Sequence, residues 1–195
     1  MTGRERRVVL LADSQTHMMP ALACVMAEKG HDFVLGDAMD GLAGELSGMG
    51  AGVEVVDGAE DQTKADTIQK LVDRAQDAFG GFDAACIRTG AHGTGTILES
   101  TPEDCQIQYE GNYRSVFYAL KALLPPLVEQ GSGQVVINTS ASAIRPQAFD
   151  ALYASLRAGA NALVRSAAAE VAPHGVTVPV GTRATPSSIA RSSQG

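Results

Sequence analysis

The chain has 195 residues, 45% of them hydrophobic, and its 22 acidic residues outnumber the 15 basic ones to give a formal net charge of −7. This length suits one compact core, and we predict a single domain over residues 1–181 followed by a disordered tail over 182–195. A negative surface without runs of Lys or Arg repels phosphate backbones and anionic lipid, which argues against nucleic acid and membrane partners.

The cysteines and the N-terminal residues indicate a cytoplasmic protein. Cys24, Cys86 and Cys105 are widely spaced and odd in number. We therefore expect buried thiols in a reducing compartment, without a disulfide framework or a metal site. Asp13 ends the first apolar run, so this run predicts a strand and not a signal peptide. No stretch of the sequence reaches the length needed to span a bilayer.

In chain order, short apolar runs alternate with longer amphipathic segments. The predicted strands are Val8 to Ala12, Asp32 to Leu35, Val53 to Val56, Asp83 to Ile87, Gln134 to Thr139 and Val176 to Val180. The predicted helices are Ala21 to Lys29, Asp40 to Ser47, Lys64 to Phe79, Pro102 to Gln130 and Ala151 to Ala172. This β-α repeat predicts an α/β fold, a Rossmann-like, doubly wound parallel sheet of six strands with flanking helices.

The last predicted helix is rich in alanine. Ala154, Ala158, Ala162 and Ala169 give it narrow faces that suit close helix packing. Such packing serves either an interface between copies or the core of one chain. We expect a homo-oligomer that assembles through helix pairs.

Three polar residues follow the spacing Ser-x12-Tyr-x3-Arg, namely Ser140, Tyr153 and Arg157. Ligands of open α/β sheets bind outside the carboxyl ends of the strands, and Ser140 follows such an end. Tyr153 and Arg157 share a helix face, so the cation favours the phenolate and makes it a better general base. A helical pair lying on the surface would show the same spacing.

Three segments resemble the short-chain dehydrogenase/reductase family. They are QVVINTSASAIRPQAFDALYASLRAGANALVRSAAAEVAPHGV at Gln134 to Val176, FGGFDAACIRTG at Phe79 to Gly90, and EGNYRSVFYALKALLP at Glu110 to Pro125. Their order and spacing agree with the family over about residues 8 to 180.

The resemblance assigns a role to four residues. It implies that Ser140 orients the substrate oxygen, that Tyr153 donates or accepts its proton, and that Asn112 completes a water relay. Arg157 stands where the family has a lysine that also holds the nicotinamide ribose. Arginine keeps the positive charge but cannot give up its proton, so it cannot relay one.

The first loop departs from the family pattern. Family members carry T-G-x-x-x-G-x-G after the first strand, whereas this chain has ADSQTHMM, with Asp13, His17 and Met19 at the three glycine positions. Those glycines provide the tight turn, the approach of backbone to the pyrophosphate, and close helix packing. We therefore expect no cofactor at high affinity, and NAD if any, because these side chains fill the phosphate space.

Three further residues are candidates for a vestigial cofactor site. Asp37 and Asp61 stand where the resemblance implies acids near the ribose hydroxyls and the adenine of NAD, and Gly90 ends the segment that the family writes Asn-Asn-Ala-Gly. Isolated acids after strands also serve as turn or cap residues. Arg88 replaces one of the asparagines, and a basic side chain there is able to hold an anion.

The chain also departs from the family at its other end. The family continues with a substrate-covering loop, more helix and a seventh strand, and the polar residues 181–195 match none of these, so we expect a C-terminally shortened fold. Pro179 lacks a backbone donor, which confines the sixth strand to an edge or ends it early.

Three functions on a small-molecule substrate or ligand fit these residues. We favour cofactor-independent acid/base chemistry on a hydroxyl or epoxide, because a Ser-Tyr-Arg site with a blocked nucleotide loop resembles the halohydrin dehalogenases, which are lyases. Their first loop, Thr-x4-Phe/Tyr-x-Gly, is not matched by Ala12, His17 and Met19. The alternatives are an NAD(P)-dependent alcohol or carbonyl oxidoreductase with a degenerate loop, and a catalytically inactive scaffold.

Overall fold

The computed structural model describes residues 5–15 and 18–183 of the chain. His17 and residues 184–195 of the predicted tail lie outside the described residues. The strands are β1 Arg7–Ala12, β2 His31–Gly36, β3 Val53–Val56, β4 Ala84–Arg88, β5 Gly133–Ser140, β6 Val176–Thr177 and β7 Val180–Arg183. The α-helices are α1 Met19–Glu28, α2 Leu42–Gly48, α3 Thr67–Phe79, α4 Pro102–Tyr109, α5 Ser115–Gln130 and α6 Ala151–Val171.

The strands form one parallel sheet in the order β3-β2-β1-β4-β5-β6, with β7 also paired to β5. From β1 the chain first builds outward through β2 and β3, and then crosses to β4 on the other side. The predicted doubly wound α/β fold is therefore confirmed. The strand order reverses between β1 and β4, and a crevice at their carboxyl ends is where such sheets bind ligands.

The sixth predicted strand is divided in two. β6 pairs with the start of β5, and β7 pairs with the second half of β5. Between them the carbonyl of Pro179 accepts a hydrogen bond from the amide of Ile137 at 3.3 Å. Proline cannot donate to the ladder, which accounts for the predicted interruption. The strand resumes beside β5 as β7, and both pieces lie at the edge of the described sheet, which is the first of the two outcomes predicted for Pro179.

The long helix predicted from Pro102 to Gln130 contains a π-helical turn. α4 and α5 are joined by the turn Glu110–Arg114, which holds Asn112. The start of α4 is fixed by a capping box between Thr101 and Asp104. Turns of this kind occur often at functional sites, and this one brings Asn112 toward the end of β4.

Two apolar clusters cover the two faces of the sheet. Helices α3, α5 and α6 pack on one face, around residues such as Ile87, Leu123 and Val164. Helices α1 and α2 pack on the other face, around Leu11 and Phe33. Because both faces are covered, the carboxyl ends of the strands are the exposed part of the sheet where polar side chains collect.

The structure adds three points to the sequence expectations. Cys86 is buried as predicted, whereas Cys24 is half-buried and Cys105 is exposed, because they lie on outer parts of α1 and α4. Within residues 5–15 and 18–183, no helix is long and apolar enough to cross a bilayer, and no cluster of His, Cys, Asp and Glu has metal-binding geometry. The helix-pair oligomer stays a prediction; an apolar groove between α5 and α6 is lined by residues such as Phe117 and Leu163.

Candidate active site

Arg157 joins helix α6 to the end of β4. Its side chain is buried, with 4% of the residue exposed. One guanidinium nitrogen donates to the hydroxyl of Thr89 at 3.1 Å, and the other donates to the carbonyl oxygen of Thr89. Burial lowers the pKa of Arg157, the Tyr153 phenol opposes this, and the charge of Arg88 adds to it. A guanidinium titrates so high that Arg157 remains a fixed cation.

Gly90 leaves the space that the Arg157 guanidinium fills. Its backbone has φ +134°, and a Cβ at this position would overlap Nη2 of Arg157 and lie 3.0 Å from Oδ1 of Asn112. The sequence identifies Gly90 as a candidate cofactor residue. In the structure its missing side chain admits a cation from the protein itself.

Tyr153 lies between a cation and an imidazole ring. The guanidinium carbon of Arg157 is 5.4 Å from the centre of the phenol ring, and the ring of His92 meets it edge-on at 5.0 Å. The predicted pairing of Tyr153 with Arg157 is thus present in the structure. His92 was missed, although it comes shortly after Gly90 at the carboxyl end of β4, where functional side chains are expected.

Asn112 is fully buried beside these residues. Its amide nitrogen donates to the carbonyl oxygen of Ala91 at 2.8 Å, and it is 2.8 Å from Oε1 of Gln108. Its Oδ1 has no hydrogen-bond partner among the described residues. A buried acceptor without a donor costs free energy, so Oδ1 favours a donor such as a ligand hydroxyl.

Ser140 is at the end of β5 and has a different partner. Its hydroxyl oxygen accepts a hydrogen bond from the amide of Ser142 at 3.2 Å, which begins a 3-10 turn over Ala141–Ala143. Within the described part of the chain, no hydrogen bond joins Ser140 to Tyr153. The structure therefore groups Asn112, Tyr153 and Arg157 around Gly90, and the turn that follows Ser140 packs against α6.

An ion pair joins the carboxyl ends of β1 and β4, the part of the crevice that follows the predicted nucleotide loop and that we call the nucleotide side. Nη1 of Arg88 is 2.6 Å from Oδ2 of Asp13, and the side chains are 29% and 17% exposed. Asp13 has φ 60°, a left-handed conformation that glycine adopts without strain and Asp tolerates better than most residues. The first lost glycine is thus replaced by a residue that keeps the turn but adds a carboxylate.

Met19 does not fill the crevice, so this part of the prediction was wrong. It is fully buried at the start of α1, and its sulfur is 3.9 Å from the sulfur of Cys86. Met19 is the first residue of α1 and faces the sheet, so its side chain enters the core. Burial also raises the pKa of Cys86 to about 11, which keeps this thiol protonated.

The two candidate ribose and adenine acids are engaged differently. Oδ1 of Asp37 accepts from the amide of Gly58 at 2.9 Å, whereas its Oδ2 is buried without a hydrogen-bond partner among the described residues. Burial raises the pKa of Asp37, and the nearby charge of Glu60 adds to this. Asp61 binds the hydroxyl and amide of Thr63, and the hydroxyl holds its pKa below the usual range. Asp61 thus stabilises the turn to which it belongs.

A cleft of about 220 Å³ lies beside the Asp13–Arg88 ion pair. Its lining includes Asp13, Asp61, Arg88, Gly90 and Ala91. The orphaned Oδ2 of Asp37 suits a ribose hydroxyl near this cleft. The Asp13–Arg88 ion pair, however, lines this cleft where the family resemblance implies the pyrophosphate, and Arg157 already donates to Thr89. A complete dinucleotide would therefore have to displace the Asp13 carboxylate from Arg88.

A second cavity of about 140 Å³ lies between the loop after β4 and the start of α6. It is lined by residues that include Gly93, Thr96, Gln108, Asp150 and Leu152. The loop is held here because the amide of Gly95 donates to the carbonyl of Phe149 at 2.9 Å. The cavity therefore adjoins the first turn of α6, which carries Tyr153.

Sequence comparison matches the chain to a known protein family and to a dehydrogenase. A family model described as enoyl-(acyl carrier protein) reductase matches residues 19–180. The D-β-hydroxybutyrate dehydrogenase of Rhizobium meliloti is 25% identical over 177 residues, covering 88% of this chain and 68% of the relative.

Solved structures give the same result for the fold. The alcohol dehydrogenase of the archaeon Thermococcus sibiricus, in complex with 5-hydroxy-NADP, superposes with a TM-score of 0.79 at 25% identity, covering 89% of this chain and 75% of the other. A 7α-hydroxysteroid dehydrogenase in complex with NADH and 7-oxo glycochenodeoxycholic acid has a TM-score of 0.81 at 22% identity, covering 89% and 69%. The second likeness concerns the fold alone.

Proposed function

Because the chain belongs to the short-chain dehydrogenase/reductase family, we propose that it is an NAD(P)-dependent oxidoreductase acting on a hydroxyl or carbonyl group of a small molecule. The observation that carries this proposal is the contact between the buried Arg157 and the Tyr153 ring, beside the cavity at the start of α6. The similarity to dehydrogenases supports redox chemistry. Since the Asp13–Arg88 ion pair is closed in this structure, we derive only the proton transfer.

Tyr153 is the proton donor or acceptor at the substrate oxygen. Arg157 places a fixed positive charge 5.4 Å from the centre of the Tyr153 ring. Arg157 itself binds Thr89 and keeps its proton, so it is a positioning and electrostatic group. Any relay of the Tyr153 proton therefore runs through another group, and the exposed His92 ring contacts the phenol ring edge-on.

The cavity beside α6 suits a small polar substrate. Gln108 lies close to Gly93 in its wall and also contacts Asn112, which links the cavity to the buried amide. Oδ1 of Asp150 is buried there without a hydrogen-bond partner among the described residues. Unsatisfied acceptors of this kind favour a ligand that brings hydroxyl donors. An alcohol with a further hydroxyl group fits this requirement.

A halohydrin dehalogenase-like lyase is the second candidate. The closed ion pair between Asp13 and Arg88 favours it, because this chemistry needs no nucleotide. Tyr153 would again take a proton from a hydroxyl group. The relatives are described as dehydrogenases, so we place the oxidoreductase first.

Purified Tyr153→Phe and Tyr118→Phe variants test the proposal. Wild type, both variants and a panel of secondary alcohols and ketones are assayed with NAD(H) and NADP(H) by absorbance of the reduced cofactor. Tyr118 contacts Phe117 and Arg114 on α5, so its variant is a matched control. We expect turnover in wild type and control, and a loss of roughly 100-fold or more in Tyr153→Phe. Equal turnover in all three proteins would contradict the role of Tyr153.

The same proteins separate the two candidates. Halide release from a vicinal halohydrin without any nucleotide, lost in Tyr153→Phe, would support the lyase. Nucleotide-dependent turnover without halide release would support the oxidoreductase.

A further inference from the structure

We propose that the Asp13–Arg88 ion pair sets the dinucleotide affinity of this chain, because Asp13 occupies the anion-binding group that a pyrophosphate would need. The inference rests on the proposed function, since it concerns the cofactor of that reaction. It assigns Asp13 as a residue that determines affinity and Arg88 as the anion receptor of the crevice.

The position of the pair is the first argument. Asp13 directly follows β1 and Arg88 ends β4, and these neighbouring strands flank the point where the strand order reverses. A contact of 2.6 Å between them therefore crosses the opening of the crevice. Ligands of doubly wound sheets bind at this point, so a bound dinucleotide and the closed pair compete for the same space.

The charges are the second argument. Arg88 matches phosphate well, because its planar fork can donate two parallel hydrogen bonds to an oxyanion. In the structure it is paired with Asp13, and a pyrophosphate approaching the closed pair meets the negative carboxylate. Both side chains are less than one third exposed, so solvent screens this repulsion only in part.

The other cation of the site does not replace Arg88. Both terminal nitrogens of Arg157 donate to Thr89. Its guanidinium lies against Gly90, so reorientation toward a ribose would break those bonds. The affinity for a dinucleotide therefore depends on whether Arg88 leaves Asp13.

The backbone permits a clean test at Asp13. Its φ of 60° is free of strain for glycine and tolerated by asparagine, so Asp13→Gly and Asp13→Asn remove the charge and retain the turn. Glu60 supplies a matched control, because it is an exposed acid that lines the same cleft. Glu60→Gln removes one negative charge from the cleft without touching the ion pair.

The experiment is a calorimetric titration of the full chain with NADH at fixed ionic strength. The proteins compared are wild type, Asp13→Gly, Asp13→Asn, Glu60→Gln and the double variant Asp13→Gly/Arg88→Met. We expect both Asp13 variants to bind NADH at least about tenfold more tightly than wild type. Glu60→Gln should stay within about threefold of wild type, and Arg88→Met should abolish the gain. Thermal unfolding curves confirm that each variant is folded.

Two results would overturn the inference. One is an affinity of both Asp13 variants within about threefold of wild type, and the other is a full gain that persists in the double variant. Either result together with turnover that depends on Tyr153 would reject the ion-pair proposal and leave the proposed function standing. A tenfold gain together with turnover unaffected by Tyr153→Phe would support the ion-pair proposal and reject the function.

Discussion

The crevice has an acid/base side, which holds Tyr153 and Arg157, and a nucleotide side, which holds Asp13 and Arg88. The two sides meet at the end of β4, where consecutive residues contact opposite sides. On the acid/base side, the hydroxyl and the carbonyl oxygen of Thr89 accept hydrogen bonds from Arg157. On the nucleotide side, Arg88 pairs with Asp13. Successive side chains of an extended strand point in opposite directions, so one strand end supplies both contacts. The acid/base side keeps the residue types that the family resemblance implies, with one changed cation. The nucleotide side has lost its glycines and has gained an internal ion pair instead.

Gly90→Ala should have the largest effect on stability, because Gly90 lies where the two sides of the crevice meet. A Cβ there overlaps the Arg157 guanidinium, and φ +134° disfavours any side chain. We expect the free energy of unfolding to fall by about 2–4 kcal/mol in urea denaturation. The control is Gly30→Ala, which has φ +78° but no atom within 4 Å of the added Cβ and should cost only about 1 kcal/mol. Equal losses for the two variants would show that the space beside Arg157 is not tightly filled.

Arg157→Lys tests the hydrogen bonds that Arg157 makes on the acid/base side. Lysine restores the residue type of the family but cannot donate to both the hydroxyl and the carbonyl of Thr89 with a planar fork. We expect a loss of about 1–3 kcal/mol in the free energy of unfolding. Arg165→Lys, an exposed change on the same helix, should stay within about 0.5 kcal/mol. An unchanged stability of Arg157→Lys would mean that the bonds to Thr89 contribute little.

A double-mutant cycle measures the ion pair on the nucleotide side. Asp13→Asn, Arg88→Met and the double variant should give a coupling energy of about 1 kcal/mol at low salt, because the pair is only partly buried. The coupling should decrease in 1 M salt. Additive effects of the two substitutions would show that the contact contributes nothing to the folded state.

Asp37→Asn should have the smallest effect, visible as a change in pH dependence. The folded-state pKa of Asp37 is raised above its usual 3.8, chiefly by burial. The folded protein therefore binds this proton more tightly, and stability is lost as the pH rises through the folded pKa. The variant lacks this loss, so its melting temperature relative to wild type should rise from pH 3 to neutral pH. A constant difference across this range would contradict the raised pKa.

The sequence predicted what depends on local pattern. Alternating apolar runs predicted the sheet and its helices, and the four-residue spacing on one helix predicted the contact between Tyr153 and Arg157. Three features depend on side-chain direction at turns and could not be derived this way. The Arg88–Asp13 pair joins residues 75 apart in sequence, Arg157 reaches Thr89 across 68 residues, and Met19 turns inward at the first residue of α1.

Arg157 sets the acid/base side of the crevice, largely independently of the ion pair on the nucleotide side. The most direct test is NMR of the protein with 13C-labelled tyrosine rings, in which the Tyr153 signal is assigned by its loss in Tyr153→Phe. We predict that Arg157→Lys moves the Tyr153 signal, because the guanidinium lies over that ring, and that Asp13→Gly moves it by a clearly smaller amount. A shift in Asp13→Gly as large as that in Arg157→Lys would show that the acid/base side depends on the ion pair.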